Sequence, residues 1–114
     1  MSECIFCKIA EKKITATILF EDENMLAFRD LNPVSPDHIL FIPKRHIDSF
    51  GQITDKDESL LGKISVRIAK FAKEKGFDKN GFRVVTNIGS DGGQTVFHLH
   101  FHLLAGRNFK WPPG

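Results

Sequence analysis

VFHLHFHLL, residues 96 to 104, places His98, His100 and His102 at every second position of an otherwise apolar run. Alternate side chains of a strand point to one face. The spacing therefore predicts a strand with three imidazoles on one side and Leu99, Phe101 and Leu103 on the other, where they can pack on a helix. At about 3.3 Å rise per residue, same-face neighbours stand roughly 6.6 Å apart. That is near enough for three imidazoles to act on one small anion, or to be linked by hydrogen bonds. One surface histidine would carry no functional meaning. Three in register, with His38 and His46 at opposite ends of another apolar segment, point to a site.

The segments around this one set the fold class. ATILFEDE (16–23) and NMLAFRDL (24–31) read as two strands joined by a tight turn at Glu23 and Asn24. HILFIPK (38–44) reads as a third strand, stopped by Pro43. The intervening NPVSPDH carries two prolines and is loop. CIFCKIAEKK (4–13), with Ile5, Phe6 and Ile9, predicts a short helix. One long helix is predicted over 55–75: Thr54 can cap it, Asp55, Asp57 and Glu58 suit its positive end, and Gly76 stands where it stops. Within it Leu60, Leu61, Ile64, Ile68, Phe71 and Ala72 recur at helical spacing, with Lys63, Arg67, Lys70 and Lys73 mostly opposite. GFRVVTN (81–87) is a fourth strand and TVFHLHFHLLAG (95–106) a fifth, separated by the glycine-rich turn IGSDGGQ. Sequential antiparallel strands with one main helix argue for the α+β class rather than a doubly wound sheet.

A chain of 114 residues suits one compact domain, 1–114. With 41% apolar and 26% charged residues it has neither a disordered nor a membrane composition. No apolar run approaches the roughly 20 residues that span a bilayer. The N-terminus lacks a basic stretch followed by an apolar core, so a cytoplasmic location is expected. Net charge is only +2, and the short runs Lys12-Lys13 and Lys44-Arg45 read as solvated loop residues, so no nucleic-acid partner is expected. The 11 phenylalanines read as core.

Cys4 and Cys7, spaced C-x-x-C, suggest metal or redox chemistry rather than a structural disulfide. No strand precedes Cys4, as thioredoxin-type redox chemistry would need. Metal therefore leads, with two more ligands required. The histidine face admits three readings: a solvated surface, a three-histidine metal site, or an anion site. The loop GSDGGQT (89–95) favours the last, because its three glycines let backbone N–H groups approach and surround an anion. Imidazole can attack phosphorus and split one displacement into two, while its neighbours hold the tautomer that aims a nitrogen lone pair.

H-x-H-x-H followed by two apolar residues resembles the signature of the histidine triad superfamily. FEDENMLAFRDLNPVSPDHILFIPKRHI, NIGSDGGQTVFHLHFHLL and the terminal WPPG resemble its nucleotide-binding branch over nearly the whole chain. The resemblance implies α+β protomers with a five-stranded antiparallel sheet, one long and one short helix, paired through one continuous sheet in a homodimer. It implies binding of purine nucleoside monophosphates and hydrolysis of nucleoside 5′-phosphoramidates, AMP-lysine among them, with no cofactor required for catalysis. His100 would attack the α-phosphorus and His102 would bind the phosphate oxygens. His38 and His98 would complete the relay that orients His100. Asp30 and Leu31 match positions that contact ribose; Asn87, Gly93, Gln94 and Thr95 match those at phosphate and sugar.

Two of these assignments have independent support and a bland alternative. A carboxylate at Asp30 suits a ribose diol, and equally a turn before Asn32-Pro33. Thr95 can offer its hydroxyl to phosphate or leaving amine, and threonine is also a good strand residue. Relatives with C-x-x-C imply a structural zinc held by Cys4, Cys7, His46 and His98; the alternative is two reduced cysteines packed as small hydrophobes. The tail RNFKWPPG (107–114) is implied to reach the partner protomer's site, where Trp111 helps select the leaving group. Two other functions stay open: hydrolysis of dinucleoside polyphosphates, as in a neighbouring branch, and a nucleotide-binding or scaffolding module with incidental hydrolysis.

Overall fold

The computed structural model describes residues 3–114. Five strands, β1 (Ile18–Glu21), β2 (Met25–Arg29), β3 (Asp37–Pro43), β4 (Arg83–Val85) and β5 (Phe101–Ala105), form one antiparallel sheet in the order β1-β2-β3-β5-β4. Helix α1 is Ile5–Ala10 and helix α2 is Glu58–Glu74. The α+β expectation holds. Among the described residues, no helix is long and apolar enough to cross a membrane.

The two faces of the sheet carry separate apolar clusters. Met25, Ala27, Ile39, Phe41, Leu99, Phe101 and Leu103 pack with Ile64, Ile68 and Phe71 of α2. Leu26, Phe28, Leu40 and Ile42, on the opposite face, pack with Phe6 and Ile9 of α1. Each such buried aliphatic or aromatic side chain contributes about 1.5–3 kcal/mol. Covering both faces explains why β2 and β3 are continuously apolar instead of alternating. Phe97 departs from the expected phenylalanine core, with 58% of its surface exposed.

The local signals for α2 are borne out. Thr54 and Asp57 form a reciprocal capping box, over a single 3-10 turn at Asp55–Asp57 that leads into the helix. Gly76 ends it with φ +80°, a left-handed conformation that favours glycine. Four strands are shorter than their sequences suggest: β1 spans 18–21 rather than 16–23, β2 25–29 rather than 24–31, β4 83–85 rather than 81–87, and β5 101–105 rather than 95–106.

The missing half of β5 has a physical cause. Continuing the register Ile39↔Leu103 and Phe41↔Phe101 would set Pro43 opposite Leu99. Lys44 N–H points to Asn24 on the β2 side, so the position of Pro43 faces β5 and has no N–H to give. The ladder stops, and Leu99 N–H donates instead to Ile47 O at 2.6 Å. Residues 96–100 leave the strand, carrying His98 and His100 with them.

Candidate functional site

Only His102 stands on β5, so the three imidazoles are not the equivalent row that alternation predicts. They remain close. The His100 and His102 rings are 5.0 Å apart, and His38 at the start of β3 is 5.1 Å from His102. Leu99, Phe101 and Leu103 do bury against α2, as expected.

Hydrogen bonds fix the proton on each ring, because a carbonyl oxygen only accepts and a backbone N–H only donates. His100 Nδ1–H donates to the His98 carbonyl at 2.7 Å, which leaves the Nε2 lone pair as its reactive end. Val34 N–H donates to His38 Nδ1 at 3.1 Å, so a neutral His38 carries its proton on Nε2. That proton is given to His102 Nδ1 at 2.8 Å, and His102 must then carry its own proton on Nε2. The relay therefore presents a lone pair at His100 and an N–H at His102. Burial lowers the His38 pKa against the pull of Asp30. Burial first, then the charges of His100 and His38, take His102 down to about 4. Both rings are neutral near pH 7.

The same logic separates two clusters with metal-ligand composition. The donor atoms of Cys4, Cys7, His46 and His98 lie within 4.8 Å of one another, as do those of Asp30, His38 and His102. In the first, His98 Nε2–H donates to Pro43 O at 2.8 Å and His46 Nε2–H to Asp48 Oδ1 at 2.7 Å. Both Nδ1 lone pairs thus face the sulfurs, the arrangement in which outer hydrogen bonds orient ligating histidines. Nδ1 of His98 is 3.3 Å from Cys4 Sγ and 3.5 Å from Cys7 Sγ, and Nδ1 of His46 is 3.3 Å from Cys7 Sγ. Tetrahedral zinc with ordinary bond lengths would separate sulfur from nitrogen by roughly 3.6 Å. The donor set fits such an ion. In the second cluster Val34 already occupies the His38 Nδ1 lone pair. Nε2 then holds a proton, not a lone pair, which disfavours a metal there and supports a proton relay. The three-histidine metal reading loses ground on a separate observation: the His98 Nδ1 lone pair faces the cysteine sulfurs, and among the described residues His98, His100 and His102 do not converge as one ligand group.

The glycine loop is built differently from the expected open cradle. Gly93 N–H bonds Ser90 O, Gln94 N–H bonds Gly89 O, and Gly89 N–H bonds Gln94 Oε1. These donors brace the loop itself. Gln94 is buried, and its side-chain Nε2 reaches Asp48 O and Val96 O. Asn87 Nδ2 holds Gly92 O at 2.7 Å. A Cβ on Gly92 would collide with Ile88 O, so this glycine is required for a close backbone approach. Thr95 is exposed beside the loop.

Asp30 performs the turn role: Oδ1 accepts Asn32 N–H at 2.8 Å, while Oδ2 lies 3.4 Å from His38 Nε2. Leu31 and Trp111 are exposed by 85% and 83%. Sequence reasoning missed Phe6, whose ring meets His100 edge-on at 5.1 Å and His98 at 5.9 Å. It missed Thr86, whose hydroxyl donates to His100 O, and the backbone atoms of Val34, Pro43 and His98 that set the tautomers. Phe6 lies between the two cysteines, and that placement was the one available hint.

Residues 3–110 match the family described as scavenger mRNA decapping enzyme C-term binding. An uncharacterized HIT-like protein of Synechocystis is 45% identical over 112 residues, covering 98% of this chain and 97% of its own. A solved HIT family hydrolase from Legionella pneumophila is 50% identical with a TM-score of 0.96, covering 98% of this chain and 100% of its own. A histidine triad nucleotide-binding protein from Candida albicans is 33% identical with a TM-score of 0.82, covering 96% and 83% respectively.

Proposed function

The chain belongs to the histidine triad superfamily, and on that premise we propose that it hydrolyses purine nucleoside 5′-phosphoramidates through a nucleotidyl-His100 intermediate. The observation that carries this reading is the 2.7 Å bond from His100 Nδ1 to the His98 carbonyl, which holds the ring as a nucleophile. Nε2 bonds to the α-phosphorus as the P–N bond breaks, and the amine leaves with a proton taken from solvent. Water then attacks phosphorus and gives a proton back to solvent as the Nε2–P bond breaks, and AMP leaves. His102 Nε2–H stabilises the charge on the phosphate oxygens, which fixed donors do best in a site that needs no reorganisation. Asp30 and Leu31 take the ribose, and Asn87, Gly93 and Thr95 line phosphate and sugar. Gln94 contributes there through the loop it braces. The hydrolase description of the Legionella protein and the nucleotide-binding description of the Candida protein support a reaction on a nucleotide.

Cys4, Cys7, His46 and His98 hold a structural zinc in this reading. When bound, the ion ties α1 to the segment that carries His100 and adds its binding energy to folding. The proposal includes a homodimer, with Trp111 near the partner's site. The exposure of Trp111 and the position of β4 at a sheet edge support that part. His100→Ala is expected to cut turnover of a fluorogenic AMP-amide by more than about a thousandfold, as loss of a nucleophile does, while AMP still binds. Near-native turnover by that variant would overturn the assignment.

A further inference from the structure

The loop between β2 and β3 supplies the N–H that sets the whole relay, yet it has few donors of its own. Pro33 and Pro36 lack an N–H, and residues 31–34 are exposed. Val34 must nonetheless keep its N–H 3.1 Å from His38 Nδ1. Support comes from the far end of the chain. Arg107 Nε–H donates to Val34 O at 3.0 Å, and its Nη1 donates to Asn108 O at 3.1 Å. The guanidinium lies 4.3 Å over the Phe109 ring, with Arg83 5.4 Å from that ring. Arg83 also holds Lys110 O at 2.8 Å. Gly106 permits the close passage: its φ is +98°, and a Cβ there would lie 2.8 Å from Pro36 Cβ. The planar fork of Arg107 is thus stacked and pre-set before it meets the loop.

We propose that Arg107 is a positioning residue for the His38–His102 relay, acting through Val34; its effect on turnover rests on the reaction proposed above. Arg107 grips the Val34 carbonyl while His38 takes the Val34 N–H, one on each side of the same Cα. Releasing the first grip lets the second drift. His38 Nδ1 can then carry the proton, and Nε2 offers a lone pair to His102. The His102 proton moves to Nδ1, and the face toward phosphate becomes a lone pair. Outright loss of such a donor costs about 10²–10³ in turnover, so a loosened loop that mixes both tautomers should lose roughly tenfold.

Full-length Arg107→Ala and Arg107→Lys test this by two readouts. The first is kcat and KM for an AMP-amide. The second is the set of ring-nitrogen NMR shifts of histidine-labelled protein without substrate. In Arg107→Ala kcat should fall roughly tenfold with KM changed by less than about twofold, and part of His102 should shift to the Nδ1–H form. Arg107→Lys, whose ammonium can reach the same carbonyl, should restore most of both. An unchanged tautomer spectrum in Arg107→Ala overturns the proposal whatever happens to turnover. A wild-type protein inert toward the amide defeats the reaction alone, and the substrate-free spectrum still decides the role of Arg107.

Discussion

His102 gives the fold an acid limit that can be measured. Burial, reinforced by the charges of His100 and His38 and opposed by Asp30, takes its pKa from 6.5 down to about 4. In the unfolded chain the same imidazole titrates near 6.5. Between those values the unfolded state binds a proton that the folded state does not, so stability rises with pH across the window. The contribution is fully present above pH 6.5 and is lost as pH falls through 4. At about 1.4 kcal/mol per pKa unit the complete loss is about 3.5 kcal/mol, of which about 2.5 kcal/mol is already gone near pH 4.5. His102→Asn removes the titrating group and keeps an amide oxygen, placed like Nδ1 on Cγ, to accept the His38 Nε2 proton. Urea unfolding of both proteins near pH 7.5 and pH 4.5, with chelator present throughout to exclude proton-driven metal release, isolates the effect. Wild type should lose about 2.5 kcal/mol more than His102→Asn between the two conditions. Equal losses would refute the claim that this ring is held neutral by its surroundings.

Cys4→Ser should abolish stoichiometric zinc in the purified protein, measured by elemental analysis. With zinc at about a hundred to a thousand times its Kd, the lost linkage energy is about 3–4 kcal/mol, or a fall in Tm on the order of 10 °C; a metal-free wild type would refute the site. Removing residues 110–114 keeps Arg107 and Phe109 but deletes Trp111. It should change the kcat/KM ratio between a lysyl and an aryl AMP-amide more than it changes AMP affinity, with the dimer retained by sedimentation. An unchanged ratio would reduce Trp111 to packing.

What the sequence disclosed was mostly local. The Thr54 cap and the Gly76 stop lie within a turn of the helix they bound, and both are where the residues indicate. The apolar half of VFHLHFHLL was equally legible, since Leu99, Phe101 and Leu103 all bury against α2. The histidine half misled, because strand continuation depends on Pro43, a residue that becomes a neighbour only through the β3–β5 register. Residue types named the clustered imidazoles, while their protonation is set by Val34 N–H, Pro43 O and the His98 carbonyl. Backbone atoms are present at every position and leave no mark in a sequence. The glycines likewise marked a tight loop but not its internal bracing by Gln94.

Rapid-quench mass spectrometry during turnover of an AMP-amide tests the central claim most directly. Protein stopped within the first turnover should carry one AMP, and peptide mapping should place it on His100. AMP mapped to His102, His98 or any other residue, or no adduct at any time during active turnover, would contradict the nucleotidyl-His100 account.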